Sequence, residues 1–248
     1  MERVLFDHIA LGLPRIADAA PFLSGVLGGI PHAGAPSAVF RWGMWRYEGG
    51  GMIEALEPRG DDGFLHRFLA QRGPGLHHVT FKVPSTRAAC DRARAAGLNP
   101  VGFDDSDPSW IEAFLHPKEA LGIVVQLAES HGGDGDAGEP PPGVPGAPAP
   151  VTVLGLRMRA HSRERADRQW AGILQGVAKE TGPDEVTYHW PGSPMRLVVE
   201  LGSRGEEGPV AIELESPRAL GLPAAAHPGL GVTFRLAPAT AHASAARA

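Results

Sequence analysis

Apolar residues alternate with small or polar ones in FDHIALGLP (residues 6–14), and the same alternation returns in LHHVTFKVP (residues 76–84). A period of two predicts a strand with one buried face. In the first stretch Ile9, Leu11 and Leu13 share a face and His8, Ala10 and Gly12 share the other. In the second, Val79, Phe81 and Val83 oppose His78, Thr80 and Lys82. The apolar faces are expected to meet helices, and the two faces that each carry a histidine are expected to line one concave surface.

Around these strands the pattern predicts further elements in the same order twice. The first set is a strand over 4–13, a helix reaching about Leu27, strands near 38–47 and 51–56, and a short helix over 64–71 with Asp62 as its candidate cap. Pro21 is tolerated only in a first helical turn, so the earlier helix is expected to begin as late as Asp18. The second set is a strand over 77–83, a helix that Ser85 caps and Gly97 ends, and strands near 112–115 and 122–128. A displacement of 70 residues lays DHIALGLP on HHVTFKVP without a gap, with Pro14 on Pro84. The expected fold is α+β, with paired βαβββ units forming one cup-shaped mixed sheet.

Residues 131–150 are rich in glycine and proline and offer almost nothing to bury, which predicts a flexible linker after a first domain over 1–130. Beyond it the pattern recurs in worn form. VLGLRMRAHSRERADRQWAGILQG aligns with the first unit at an offset of 147, placing Leu156 on Ile9 but Gly155 on His8. PVAIELESP sets Ala211 at the place of His78, and HPGLGVTFRLAP sets Arg235 at the place of Gln126. The counterpart of Glu54 falls ambiguously within 197–200. Too few residues separate Ser216 from Gly231 for a helix and two strands. Residues 151–238 are therefore expected to be a shortened, degenerate, metal-free copy, followed by a disordered tail over 239–248. A chain of 248 residues suits two such domains.

Composition narrows the function. A net charge of -5, with arginines scattered along the chain, gives no basic field for nucleic acid. The N-terminus lacks the features of a signal peptide, and no apolar run approaches the roughly 18 residues of a membrane span. The expected location is cytoplasmic, with neither nucleic acid nor membrane as partner. The single cysteine, Cys90, lies in a helical pattern and reads as core packing.

The repeat points to a metal. His8 and His78 open the first strands of their units, while Glu54 in GMIEALEP and Gln126 in GIVVQLAE lie in the last strands of theirs. A twofold relation between units would bring two imidazoles and two oxygen donors to one point, a set suited to a single divalent ion. With no thiolate present, manganese, cobalt, nickel, iron, magnesium and zinc all remain candidates. His77 aligns with Asp7 on the opposite face and reads as structural, and His116 as a local hydrogen-bonding residue in a turn. Arg41 and Lys82 either hold a substrate carboxylate or phosphate or lie on solvated surface. Trp42, Trp45 and Trp110 either wall a pocket or pack at a sheet edge.

FDHIALGLP, MIEALEP, FLAQRGPGLHHVTFKV and AFLHPKEALGIVVQLAE together resemble the vicinal oxygen chelate superfamily, which includes glyoxalase I, methylmalonyl-CoA epimerase, extradiol dioxygenases and bleomycin-resistance proteins. The resemblance covers residues 4–129 and is strongest to the epimerase branch. It implies a metal at the base of the cup, and its ligand positions fall on His8, Glu54, His78 and Gln126. Glyoxalases and epimerases usually carry a glutamate where this chain has Gln126, and the epimerase base would fall near Arg41, where no acid stands. The resemblance implies a divalent-metal-dependent isomerase or lyase that acts on a small substrate with adjacent oxygens through a metal-bound enolate, with Glu54 as candidate base. The alternatives are an iron(II) dioxygenase and a non-catalytic small-molecule or drug-binding protein. It also implies an internal pseudo-dimer, with a homodimer left open.

Overall fold

The computed structural model describes residues 2–131, 138–202 and 204–237. They form two sheets. The first has eight strands in the order β2-β3-β4-β1-β5-β8-β7-β6: β1 (Leu5–Gly12), β2 (Ile30–Pro36), β3 (Phe40–Arg46), β4 (Met52–Pro58), β5 (Gly75–Lys82), β6 (Val101–Asp104), β7 (Trp110–Leu115) and β8 (Val124–Ser130). β1 and β5, the opening strands of the two predicted units, lie antiparallel at its centre. Each pairs in parallel with the last strand of its own unit, β4 or β8.

The helices follow local chemistry. A 3-10 turn at Ile16–Ala19 runs into α1 (Ala20–Leu23), and Pro21 sits in the first turn of α1, where its missing N–H costs nothing. The helical stretch ends earlier than the expected Leu27. α2 (Phe64–Arg72) has Gly63 rather than Asp62 at its cap position. α3 (Thr86–Ala95) begins as the sequence predicts, with Ser85 Oγ accepting from the Ala88 N–H at 3.2 Å, and Gly97 follows in the left-handed region at φ +82°.

Two strands escaped the sequence pattern, and both lie at sheet edges. β2 contains Pro31, Gly34 and Pro36, residues a central strand does not tolerate. In β6 all four residues are exposed, so no buried face leaves its mark on the sequence.

The second sheet has six strands in the order β10-β11-β12-β9-β13-β14: β9 (Thr152–Ala160), β10 (Val177–Gly182), β11 (Glu185–His189), β12 (Arg196–Leu201), β13 (Gly208–Glu215) and β14 (Phe234–Leu236). This repeats the order of the first sheet without counterparts of β6 and β7. Between β13 and β14 the chain forms no helix or strand. After β9, α4 (Arg163–Ala166) continues into a π-helical turn, Asp167–Ile173.

One continuous core joins the sheets. Phe81 lies against Trp190 at 4.7 Å and Trp170 at 6.0 Å between ring centroids, and Phe6 stacks on Phe81. Across the same boundary Ser193 Oγ donates to the Phe6 carbonyl at 2.6 Å and Arg92 Nε to the Ile173 carbonyl at 2.9 Å.

The part of the predicted linker from residue 138 onward is attached to the first sheet. Gly138 bridges to Gly34, Glu139 pairs with Arg41, and Val151 N–H donates to the Leu27 carbonyl. The predicted tail over 239–248 lies outside the described residues.

Candidate metal centre

His8, Glu54 and His78 converge on the inner face of the first sheet. One donor atom from each lies within 4.8 Å of the others, and the side chains are nearly sealed from solvent. Glu54 Oε2 lies 3.5 Å from His8 Nε2 and 3.6 Å from His78 Nε2, and the two rings stand 5.9 Å apart at 71°. Sheet register explains the meeting. Ala10 is the neighbour of both Glu54 on β4 and His78 on β5, and His8 faces Thr80, so the three donors surround one small residue.

A bulge sets each imidazole. The β1–β5 ladder skips Asp7, immediately before His8, and His77, immediately before His78. An extra residue re-aims its side chain. Asp7 Oδ2 therefore accepts from His8 Nδ1 at 2.8 Å, and His77 Nδ1 lies 2.9 Å from His78 Nδ1. Fixing Nδ1 turns both Nε2 atoms toward Glu54, the usual means of orienting a ligating histidine. Strict alternation assigns His77 to the far face; the bulge brings its ring back to His78, while Phe64 and Phe68 pack against it.

Charges differ between the two halves. Burial disfavours charge on His8, but the Glu54 and Asp7 carboxylates outweigh it and raise its pKa to about 9. Burial lowers His77 to about 4, so that ring is neutral and able to accept a hydrogen bond. Burial also holds His78 well below its ordinary value, helped by His77 and His8 and opposed by the Gln126 amide. Asp7 lies below the usual carboxylate range: burial raises it, but His8 and Lys82 prevail.

Gln126 joins through Thr80, whose hydroxyl lies 2.8 Å from His8 Nε2 and donates to Gln126 Oε1 at 2.6 Å. The Gln126 amide donates to Glu112 Oε2 at 2.7 Å, and Trp110 Nε1 donates to the same oxygen at 2.9 Å. Sequence reading missed Thr80 and Glu112. The available signal for Glu112 was its phase in β7, where Trp110, Glu112 and Phe114 alternate with the core-side residues Ile111, Ala113 and Leu115.

The donor set fits a divalent ion. Neighbouring donors about 2.1 Å from a metal lie about 3.0 Å apart in an octahedron and about 3.4 Å apart in a tetrahedron, so the two Glu54–imidazole pairs need a contraction of only a few tenths of an ångström to match. Glu54 is the one carboxylate among the four expected ligands. Asp7 and Glu112 place two further carboxylates one hydrogen bond behind them, which adds negative charge around the site.

The other candidates divide. Lys82 reaches the cluster indirectly, with Nζ 3.2 Å from Asp7 Oδ1. Trp110 reaches it through Glu112. Arg41 is not brought there: it pairs in register with Glu57, which alternates with Glu54 to the other face, and its guanidinium binds Glu139 at 2.9 Å. Arg41, Glu57 and Glu139 help line a cavity of about 260 Å³ that touches no residue of the cluster. Trp45 is fully buried on that far face, whereas Trp42 is in register with Leu56 on the near face. His116 is an exposed turn residue whose Nδ1 accepts from the Lys118 N–H.

In the second sheet the same register is filled by other residues. The ladder again skips one residue in each central strand, Leu154 and Val210. Gly155, Val198, Ala211 and Arg235 stand where the first sheet has His8, Glu54, His78 and Gln126. This resolves the ambiguity over 197–200 in favour of Val198. Gly155 has φ +131° and a Cβ there would collide with the Arg196 carbonyl, so this backbone has no room for a histidine. Arg157, in the place of Ala10, fills the space and pairs with Glu185, Glu200 and Glu213.

The chain is similar to known proteins. Residues 7–114 match the Glyoxalase/Bleomycin resistance protein/Dioxygenase superfamily. An uncharacterized protein of Bacillus subtilis, YqjC, is 28% identical over 138 residues, 51% of this chain and 92% of that one. An ethylmalonyl-CoA/methylmalonyl-CoA epimerase of Cereibacter sphaeroides is 31% identical over 134 residues, 50% of this chain and 96% of that one. A solved mutant of 4-hydroxymandelate synthase from Streptomyces coelicolor superposes with a TM-score of 0.60 at 12% identity, covering 88% of this chain and 72% of its own, which shows a shared fold.

Proposed function

The chain belongs to the Glyoxalase/Bleomycin resistance protein/Dioxygenase superfamily, and on that premise we propose that its first domain is a divalent-metal-dependent isomerase or lyase for a small substrate with two adjacent oxygens. The observation that carries this reading is the buried convergence of two Nε2 atoms on one Glu54 oxygen, with each ring held from behind. His8, His78, Glu54 and Gln126 would hold the ion. When bound, the ion would polarise the substrate oxygens and stabilise the negative charge that develops as a neighbouring C–H bond is broken.

The chain's own groups supply the rest. Glu54 is the candidate base, because it is the carboxylate of the cluster itself. Asp7 and His77 hold the two imidazoles in one tautomer, and the buried setting excludes water from the proton that moves. Phe114, on the near face of β7, would supply apolar wall to the substrate side. The epimerase relative makes acyl-CoA thioesters the first substrates to try. The second sheet serves as a metal-free internal partner that closes the core of the first. Among the described residues no helix is long and apolar enough to cross a membrane.

The test is incorporation of solvent deuterium into 2-oxo or thioester substrates by the metal-loaded protein. Exchange that disappears in Glu54→Gln supports the reading, and binding without exchange contradicts it. A second reading, an iron(II) dioxygenase, is favoured by one observation: two histidines and one carboxylate are the ligands of a facial triad. Substrate-dependent oxygen uptake by the iron-loaded protein would establish it in place of the first.

A further inference from the structure

Gln126 differs from the other oxygen ligand, Glu54, in that its two terminal atoms are chemically unlike. Oxygen can bind a cation, whereas the amide nitrogen has no lone pair to offer. A rotation of the terminal amide by half a turn would present the wrong atom at almost no steric cost.

The surroundings decide which atom faces the cluster. Trp110 Nε1 can only donate, and an ionised Glu112 can only accept. With the indole N–H on Glu112 Oε2 at 2.9 Å, the Gln126 atom 2.7 Å from that same oxygen must be its nitrogen. The Gln126 oxygen then accepts from the Thr80 hydroxyl, which itself lies 2.8 Å from His8 Nε2. All three side chains come from adjacent strands with matched register: Phe114 opposite Gln126 and Glu112 opposite Ala128 set Glu112 diagonally beside Gln126, and Trp110 follows two residues before it.

We propose that Glu112, held by Trp110, is a positioning residue that keeps the Gln126 oxygen turned toward the metal. This rests on the metal reading above. It explains how an amide can stand in this chain where a carboxylate, whose two oxygens are equivalent, would need no such device. The acid that β8 lacks is supplied by β7, one hydrogen bond farther out.

Titration of the full-length, metal-stripped protein with cobalt(II) alone tests this, reading affinity by calorimetry and ligand geometry by the visible absorption of the bound ion. Replacing Glu112 by leucine removes the acceptor and frees the amide to flip; the expected result is an affinity about tenfold weaker, the scale on which outer partners of metal ligands act, with an altered cobalt spectrum. Glu112→Gln, whose own oxygen can still accept from Gln126, should stay within about threefold of the parent. The decisive background is Gln126→Glu. There the ligand has no orientation to lose, so adding Glu112→Leu should leave the affinity unchanged or raise it by removing a like charge. A Glu112→Leu protein with parental affinity and spectrum would overturn the proposal, as would an equal loss in both backgrounds. Failure of the parent itself to bind cobalt would overturn the metal reading instead, so the two failures are distinguishable.

Discussion

Asp7 and His8 are consecutive residues in a strand, yet Asp7 Oδ2 lies 2.8 Å from His8 Nδ1 because the β1–β5 ladder skips Asp7. The same skip sets His77 against His78 in the other half. A duplicated bulge thus does for both imidazoles what unbroken strands could not, supplying each with a partner from its own chain neighbour.

Asp7→Asn keeps the size of the side chain and removes its charge. Outer carboxylates on ligating histidines are worth about 10–100-fold in metal affinity, so a loss of at least about tenfold is expected in calorimetric titrations with manganese or cobalt. Parental affinity in this variant would show that the Asp7 charge has no part in metal binding.

Loading with metal should release a proton. With its pKa raised to about 9, metal-free His8 is an imidazolium at pH 7.5, and it must give up the Nε2 proton to become a ligand. Binding heats measured in buffers of different ionisation enthalpy should report about one proton released per ion. Heats that do not depend on the buffer would contradict the assignment.

Stability of the metal-free protein should fall on both sides of about pH 6.5. His8 is raised above its unfolded value, so its contribution is present below that value and lost as the pH climbs through about 9. His77 is depressed, so its contribution is present above the unfolded value and lost as the pH falls toward about 4. The melting-temperature advantage of the parent over His8→Gln should therefore shrink between pH 6.5 and 9, and that over His77→Gln between pH 6.5 and 4. The opposite slope in either comparison would refute the corresponding charge state.

Arg157 is expected to matter for folding alone. Glu213 is 2% exposed, and Arg157 gives it a contact of 2.8 Å; Arg196 adds one of 3.3 Å. Removing one member of a buried ion pair costs about 3–5 kcal/mol, because the other charge stays buried. Arg157→Leu should lose stability on that scale in urea unfolding while binding metal as the parent does. An unchanged unfolding midpoint would show that the guanidinium is not what fills the second cup.

Much of this was legible in the sequence, and the limits have physical causes. His8, Glu54 and His78 could be read because a 70-residue repeat and a period of two place them on one face, and Gly155, Ala211 and Arg235 fall where the alignment put them. The bulges at Asp7 and His77 could not, since one skipped residue breaks the alternation locally without changing the composition around it. Glu112 was overlooked because its role arises from a diagonal contact between two strands, which no spacing along the chain encodes. The two readings of Arg41 stayed open for a related reason: the strand near residues 38–47 was recognised, but its facing depends on its register with Glu57 across the β3–β4 hairpin.

The central claim is that side chains from separate strands hold a single divalent ion between them. Metal stoichiometry measured by elemental analysis, in the parent and in His78→Ala after equal exposure to manganese, cobalt, nickel, iron(II), magnesium or zinc, tests it most directly. About one ion per chain in the parent and almost none in the variant are the predicted results. A parent that retains none of these ions, or a variant that binds as the parent does, would contradict it.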